Sequence, residues 1–574
     1  MNSTDIFHVP APGGAAIGAI TGLDSLSRAY ARIPRREDEP FFQSVQRAFD
    51  LRCEVSDGDR ARIPASGPVI VVANHPFGAA EGIVLASILG GIRSDVKVMA
   101  NHLLGRIPEF HETLILVDPF NPGANASNIQ GMRRALAHLH GGGMLIVFPA
   151  GAVSHWQPRH RGIADPPWSP AVARLARKTK ASVLPVYFPG SNGPLFQLAG
   201  LVHPTLRTAL LPKALLDRRH TTIEMRIGSA IPSVRLARFD SDEAMTAHLR
   251  RLTYVLAHRQ AQTPRVDRTA RQPIAPAIAR ETLAGEIASL PANAHLAANG
   301  DLEVFLATAD QIPNVLLEIG RLREITFRGA GEGSGKARDL DSYDAFYRHL
   351  FVWNRATNEL VGAYRLGLVD EIVERYGSAG LYTSTLFRYS SRFFEAVGRA
   401  SVEMGRSFVR PEYQKSFSPL LLLWKGIGAF VSRNPKYCVL FGPASISNDF
   451  HPQSRGLLAR YLMERTAAPE IAPFVTPRRR FRQRPDAMVD GEIAALEDLQ
   501  EMIAGIEAGQ RTVPVLLRQY LSLGGRVAAL NVDPDFSEVL DALVLVDLRR
   551  TDEKTLGRYM GNAEMKAFRA LHGR

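Results

Sequence analysis

The sequence predicts an α/β protein: an N-terminal αβ domain followed by a C-terminal αβ domain. Three observations predict this. Short β-branched runs alternate with amphipathic stretches in two blocks, a Pro- and Arg-containing interval separates the blocks, and several runs end directly on Gly- or Pro-containing loops. The 574 residues, at roughly 150 per domain, leave room for two large units or for three to four smaller ones. A composition of 45% hydrophobic and 22% charged residues excludes a largely disordered chain.

In the first block the runs are PVIVVA, DVKVMA, TLILVD, MLIVFP and SVLPVYF, with helical stretches from about Glu81, from Asn128 to His140 and from Pro170 to Lys178. Four of the strands lead into NHPFG, NHLLG, PAGAVSHW and PGSNG. Loops at the carboxyl ends of strands are where such sheets place their sites. From about Arg251 to Asn299 the pattern weakens, and TPRVDRTARQPIAPAI has the composition of a linker. The expected boundaries are an N-terminal segment over 1–39, a first domain over 40–260, a linker over 261–299 and a second domain over 300–574. The second block runs LEVFLAT, a helix from Asp310 to Phe327, the loop GAGEGSG, and strands HLFVWN and LVGAYRLG. A helix containing FRYSSRFFEAV, the strand RASVEMGRSFV, a helix through SPLLLLWKGIGAFVSR and the strand YCVLFGPASI follow, then VPVLLRQYL, RVAALNV and DALVLVDL.

Cys53 and Cys438 stand far apart without Cys or His neighbours at ligand spacing, which argues against a disulfide framework and a metal site and for a reducing compartment. The longest apolar runs, such as Val69 to Ala73 and Leu420 to Leu423, fall well short of the roughly 18 residues that cross a bilayer. Asp5 precedes the small-residue stretch APGGAAIGAITGL and no basic leader accompanies it, so no secretory signal is expected. The net charge of +12 points to an anionic partner. Nucleic acid ranks last among these, because no reader motif and no regular aromatic interleaving is present. The run with Arg478, Arg479, Arg480, Arg482 and Arg484 reads as an exposed linker, or as a surface for an acidic protein or anionic lipid head groups. Ile17 to Ile33 is amphipathic and suits either the inner leaflet or an ordinary packed helix.

His75 follows a buried-looking strand, with Asn74 before it and Glu81 six positions later on the opening turn of a helix. A histidine backed by a carboxylate is general-base equipment. The imidazole takes the proton of an attacking hydroxyl, and the carboxylate fixes its tautomer and stabilises the imidazolium. Pro76 and Gly78 shape the turn, and the helix start can offer N–H groups to an oxyanion. A satisfied structural histidine is the competing reading of these residues alone. NHPFGAAEG, ILVDPFN, VFPAGAVS and VLPVYFPGSNG occur in the order and at the spacing of the four blocks of the glycerolipid acyltransferase superfamily. Residues 40 to 260 resemble its hemolysin-like branch, through IPASGPVIVVANHPFGAAEG, FPAGAVSHW and DPPWSPAVARLARKTKASVLPVYFPGSN. The resemblance implies His75 and Glu81 as catalytic residues and Asn74, Gly78, Phe148, Pro149 and Gly151 around the acceptor, while Arg106 reads equally as a holder of the acceptor head group or as an ordinary helix-surface arginine. Two departures matter. The acid stands one place later than in His-x4-Asp, and the FPEGT block reads Phe148, Pro149, Ala150, Gly151, Ala152, which lacks a carboxylate used around glycerophosphate acceptors. A different lyso-lipid hydroxyl is therefore expected.

In the second block RLREITF, RDLDSYDAFYRHLFVWN, ELVGAYRLG, SVEMGRSFVRPEYQ and LLLLWKGIG resemble a GNAT-fold family, the ornithine N-acyltransferases, with a more distant likeness to acyl-homoserine-lactone synthases. Such enzymes move a 3-hydroxyacyl group from acyl carrier protein to an amine. An α-amine must lose a proton to attack a thioester, and Glu403 is the expected base. Arg406 would meet the substrate carboxylate or the pantetheine phosphate. Asp339, Asp341 and Asp344 would hold the amino acid's cationic groups or, in the plainer reading, cap a helix. Lys425, Gly426 and Gly428 would cradle the carrier phosphate, and Arg365 aligns with a recurrent arginine or bridges the sheet.

Together the two blocks resemble the bifunctional ornithine lipid synthases. The resemblance implies N-acylation of ornithine in the second domain, then O-acylation of the new hydroxyl in the first. It implies no tightly bound cofactor, with acyl-acyl carrier protein or acyl-CoA as donor. The expected partners are acyl carrier protein, a lipid substrate and an anionic membrane touched peripherally on its cytoplasmic face. Another amino acid such as glycine, a lysophospholipid acyltransferase with a degenerate second domain, and a membrane-lytic protein remain as alternatives.

Overall fold

In the computed structural model the described residues are 21–36, 39–118, 125–158, 162–259, 272–416, 418–482, 486, 489 and 491–573. They form two units: Met1–Ala261 with Pro485–Glu492 and Ala504–Gln510, and Gln262–Arg484 with Ile493–Ile503 and Arg511–Arg574.

The first unit opens with helix α1 (Leu23–Ala31), whose Tyr30 is buried, as is Ile33 just beyond it. The described part of the amphipathic N-terminal stretch is thus a packed helix, with the Tyr30 hydroxyl donating to Glu109 over 2.6 Å. The chain then builds β1 (Val69–Ala73), α2 (Ala79–Gly90), β2 (Val96–Asn101), β3 (Leu114–Val117), α3 (Asn125–His140) and β4 (Met144–Val147). A hairpin of β5 (His155–Gln157) and β6 (Gly162–Ala164) leads to α4 (Ala171–Thr179) and β7 (Ser182–Tyr187). Three short helices, α5 (Pro194–Val202), α6 (Pro204–Ala209) and α7 (Leu211–Leu216), precede β8 (Arg226–Ile227) and α8 (Asp242–Tyr254). The main sheet has the order β8-β7-β1-β4-β2-β3, parallel except for the antiparallel edge strand β8. β1 is central and buried along its whole length, which its uninterrupted apolar run VIVVA dictates. Residues 74 to 78 therefore leave the sheet at the carboxyl end of a central strand.

The second unit begins earlier than its composition suggests. Residues 261–299, expected as a linker, include helix α9 (Arg280–Ala288), which buries Leu283 and Ile287 in the unit's core, and the edge strand β9 (His295–Asn299). Pro and Arg in the preceding stretch marked only its beginning. β10 (Leu302–Thr308), α10 (Pro313–Gly329), β11 (Arg348–Asn354), β12 (Glu359–Leu368), β13 (Ser401–Val409), α11 (Ser418–Arg433), β14 (Val439–Ile446), β15 (Arg526–Asp533), β16 (Val539–Asp547) and α12 (Glu553–Met560) follow. The sheet order is β9-β10-β11-β12-β13-β14-β16-β15, antiparallel except for β13 with β14. α10 packs Ile319 and Leu322 against the face that carries Phe305, Phe351 and Phe408. α11 lies on the opposite face, where Gly426 meets Val304 and Leu350.

β13 and β14 pair over only three residues, Ser401 with Val439, Val402 with Leu440 and Glu403 with Phe441. β14 continues along β16 as far as Ile446, and β13 continues along β12 to Val409. The ladder between the two parallel strands thus ends just after Glu403.

Candidate active sites

At the end of β1 the chain turns on Gly78, whose φ of 99° suits glycine and whose added Cβ would lie 2.9 Å from Leu211. The turn brings the Glu81 carboxylate under the loop, fully buried. Its Oε1 accepts the N–H groups of Phe77 (3.0 Å) and Gly78 (2.9 Å) and lies 2.9 Å from His75 Nδ1. The imidazole approach is too oblique for an aligned hydrogen bond, and Oε2 has no hydrogen-bond partner. With Nδ1 held toward the acid, the other ring nitrogen is the one available to substrate. The His75 ring rests on Phe148 at 4.4 Å between centroids and keeps part of its surface exposed.

Two residues outside the predicted set, Asp165 and Ser154, hold the histidine backbone, and a third, Trp168, holds Asp165. Asp165 Oδ1 accepts the His75 N–H (3.1 Å) and the Ser154 hydroxyl (2.5 Å), and its Oδ2 accepts the Trp168 indole N–H (2.9 Å). The Ser154 N–H returns a bond to the His75 carbonyl over 2.8 Å. Asp165 is wholly buried, and that burial raises its pKa against the lowering effect of its donors. The sequence signal was the Asp in DPPW, an acid in an otherwise apolar segment.

Asn74, expected at the substrate, is instead a clamp. It is buried, its amide donates to the Phe188 carbonyl (2.9 Å) and its oxygen accepts the Phe188 N–H (2.7 Å), locking the ends of β1 and β7 together. Gly78 also has its N–H committed, to Glu81. Pro149 is buried and accepts the Ser169 N–H, while Gly151 turns the chain at φ 64°. Arg106 stands exposed at the end of a short 3-10 helix after β2, with no hydrogen bond or ion pair among the described residues.

In the second unit Glu403 is buried at the last paired position of β13 and β14. Its Oε1 accepts the Thr383 N–H (2.6 Å), and its Oε2 accepts the Tyr382 N–H (3.1 Å) and the Tyr347 hydroxyl. Burial raises its pKa, with the Thr383 and Tyr347 donors and Arg365 opposing.

The three aspartates are not vacant for a substrate cation, which corrects the expectation for them. Asp344 lies 3.3 Å from Arg323 and 3.2 Å from Arg365, and Asp341 is 2.6 Å from Arg365. Asp339 lies 3.9 Å from Arg323 and 3.5 Å from Arg406. Asp341 and Asp344 also form a capping box on the 3-10 helix Ser342–Ala345. Arg365 is thus an internal counter-ion, buried beneath the rings of Tyr343, Tyr347 and Tyr382.

Arg406 is held more loosely, at 3.5 Å and 3.7 Å from Asp339 and Asp341, between the rings of Tyr382 and Phe536. Its φ of 49° is left-handed, a strain that falls where the ladder of β13 with β12 shifts register between Gly405 and Phe408, three residues beyond the last pair with β14. On the far side of the parting, Asp541 of β16 accepts the Ser445 hydroxyl (2.7 Å) and is pushed up to about 7 by burial, with Asp533 adding to the rise and Arg406 opposing. Glu332, in the Gly-rich loop, is pushed up to about 8 by burial and by Asp541 and Asp449.

Lys425, Gly426 and Gly428 do not form a phosphate cradle. They lie in the middle of α11, where backbone N–H groups belong to the helix. Gly426 lets the helix approach the sheet, and an added Cβ on Gly428 would lie 2.6 Å from the Tyr559 carbonyl oxygen of α12. Arg478 and Arg479 of the basic run are likewise committed, to the Ser384 carbonyl (2.8 Å) and Glu538 (2.7 Å), whereas Arg484 lies outside the described residues.

Comparison with known proteins agrees with both units. A family model described as "Acyltransferase" matches residues 21–258, and one described as "Acetyltransferase (GNAT) domain" matches residues 322–425. Glycine N(alpha)-acyltransferase of Phocaeicola vulgatus is 31% identical over 260 residues, covering 42% of this chain and 79% of that protein. L-ornithine N(alpha)-acyltransferase of Rhizobium meliloti is 26% identical, covering 42% of this chain and 77% of that protein. Lyso-glycine lipid O-acyltransferase of Phocaeicola vulgatus is 27% identical over 199 residues, covering 33% of this chain and 68% of that protein. The crystal structure of the 1-acyl-sn-glycerophosphate acyltransferase PlsC from Thermotoga maritima is similar at 20% identity with a TM-score of 0.26, covering 43% of this chain and 93% of that one. The chain is an acyltransferase with an N-terminal acyltransferase domain and a C-terminal GNAT domain. It belongs to the N(alpha)-acyltransferase family.

Proposed function

We propose that this enzyme builds an aminolipid by two successive acyl transfers. In the second unit the α-amine of ornithine attacks the thioester carbonyl of a 3-hydroxyacyl group on acyl carrier protein. Glu403 takes the ammonium proton, the C–N bond forms, and the C–S bond breaks as the nitrogen's second proton passes to the departing thiolate, which leaves as the carrier thiol. In the first unit the hydroxyl of that lyso-lipid attacks a second acyl thioester. His75 takes the hydroxyl proton as the C–O bond forms and delivers it to the departing thiolate, while Glu81 stabilises the transient imidazolium. The donor is a co-substrate in both steps, so neither needs a resident cofactor.

The observation that carries this reading is the buried Glu81 carboxylate 2.9 Å from His75 at the carboxyl end of a central strand. What supports ornithine over glycine is a pair of acids, the buried Asp541, which feels Arg406, and the half-buried Glu332, which feels Asp541. Asp541 and Glu332 are pushed up to about 7 and about 8, and a cationic side chain would relieve their desolvation, whereas glycine brings none. The named relatives include acyltransferases for both amino acids. No helix among the described residues is long and apolar enough to cross a membrane, and we place the working enzyme on the inner face of the cell membrane.

The test is lipid mass spectrometry on a bacterium lacking aminolipids that expresses the intact chain, His75→Ala or Glu403→Gln. Ornithine lipid from the first, its lyso form from the second and neither from the third is the expected outcome. A new lipid carrying glycine would transfer the mechanism to another acceptor, and the absence of any new aminolipid would overturn it.

A further inference from the structure

We propose that the outer face of α5, extended by Trp156 and Ile163 of the β5–β6 hairpin and Leu206 of α6, is a docking surface for an anionic bilayer. Sixteen large hydrophobic side chains are exposed among the described residues, and seven of them lie on these few elements. Leu195, Leu198, Leu201 and Val202 are 63%, 60%, 65% and 77% exposed. The helix, PLFQLAGLV, contains no charged residue. Solvent-facing helices of soluble proteins ordinarily carry polar residues on that face, and a concentrated apolar patch marks a surface that is covered in use.

The helix is built to present this face. Its inner side is pinned by Phe196, buried with Val153 and Ala214. Gln197 accepts the Trp156 N–H over 3.2 Å, which ties the hairpin to the helix and adds an exposed indole to the apolar edge. Tryptophan is a residue that settles at the level of lipid head groups. From Pro194 to His220 the cations are Arg207, Lys213, Arg218 and Arg219 and the acid is Asp217, giving 4 minus 1, or +3 with histidines neutral. An uncharged leucine face bordered by a cationic segment is complementary to acyl chains beneath anionic head groups. An acidic carrier protein would select the cations and leave the leucines unexplained.

The patch adjoins the first site. Ser154, next to Val153, bonds the His75 carbonyl, and Asn192, just before α5, donates to the Phe77 carbonyl over 3.1 Å. That adjacency gains meaning from the O-acylation reading above, because an acceptor with one acyl chain would enter from the lipid side. The docking itself requires no catalysis.

Sedimentation of the full chain with vesicles of phosphatidylglycerol and phosphatidylcholine, against phosphatidylcholine alone, separates the two. The wild type should partition to anionic vesicles, and the exposed-site variant Leu195→Ser/Leu198→Ser/Leu201→Ser should lose at least tenfold in partitioning. That variant should keep wild-type turnover on a short-chain acceptor dispersed as monomers, which shows that it is folded. Arg207→Gln/Lys213→Gln should weaken anionic binding and blunt its salt dependence. Equal sedimentation of the leucine variant overturns the proposal. So does a wild-type dimer that becomes monomeric in the variant with vesicle binding unchanged, or leucine-dependent capture of purified acyl carrier protein instead of vesicles. Vesicle binding by a chain inactive in every acyl-transfer assay would leave the docking surface standing and remove the catalytic reading.

Discussion

One oxygen of Glu81 closes the turn through two backbone N–H groups and faces His75, so its structural and chemical roles must be separated by a substitution that changes only one. Glu81→Gln does this. The carboxamide oxygen still accepts from Phe77 and Gly78, while the negative charge that would stabilise an imidazolium is gone. The expected result is a kcat for O-acylation about 10²–10⁴-fold lower with little change in melting temperature. A silent Glu81→Gln would reduce Glu81 to a turn cap. Asp165 acts through the histidine backbone, and its carboxylate accepts three donors. Asp165→Asn turns one acceptor atom into a donor facing a donor, a mismatch worth about 1–3 kcal/mol. Its signature in kinetics should be a loss of kcat with KM nearly unchanged, and a melting scan should register the lost stability.

The parting of β13 from β14 is the element on which the second site depends, and a glycine sits at its hinge. An added Cβ on Gly442 would lie 1.9 Å from the Met404 carbonyl oxygen, a backbone atom with no rotamer to escape into. Gly442→Ala should therefore cost at least about 1–3 kcal/mol and abolish N-acylation, measured by denaturant unfolding and by acyl transfer. Such a constraint is invisible in YCVLFGPASI, whose β-branched and aromatic residues announce a strand but not where its ladder ends. The same limit explains the other departures. HPFGAAEG gave up its His–Glu pair because both members lie within one local turn. The cations that neutralise Asp339, Asp341 and Asp344 arrive from separate elements, α10, β12 and β13. Gly426 and Gly428 are small because a sheet and a neighbouring helix press on them, and no local spacing distinguishes that cause from a phosphate loop. Arg365 tests the buried network directly. Arg365→Met leaves Asp341 and Asp344 short of a counter-charge, and a loss of about 3–5 kcal/mol is expected on unfolding.

The stability of the second unit should carry the imprint of its buried titrating groups, because they tilt it in opposite directions. His349 is fully buried, its Nε2 lies 2.9 Å from the Asp344 carbonyl, and burial pushes it down to about 4 from 6.5. Its contribution is complete above pH 6.5 and is lost as the pH falls toward 4. Asp541 is the reverse case. Its folded-state value of about 7 stands above the ordinary 3.8, so its contribution is complete below pH 3.8 and is lost as the pH rises through 7. Glu332, at about 8, continues that loss to higher pH. Each group contributes a slope of at most about 1.4 kcal/mol per pH unit. Above pH 6.5 His349 has no further effect, and melting temperature should decline toward pH 8 as the carboxyls ionise against their desolvation, which Arg406 offsets only in part for Asp541. Asp541→Asn, which cannot ionise, should flatten that decline and be the more stable protein at pH 8. Under the ornithine reading the gain comes with a loss of function, because the unrelieved charge is what a cationic side chain would neutralise. The expected pair of results is a higher melting temperature at pH 8 and a KM for ornithine at least about tenfold higher, equivalent to roughly 1.4 kcal/mol of lost binding. A stabilised Asp541→Asn with unchanged KM would make the acid a buried liability and return the choice of amino acid to the residues around Arg406.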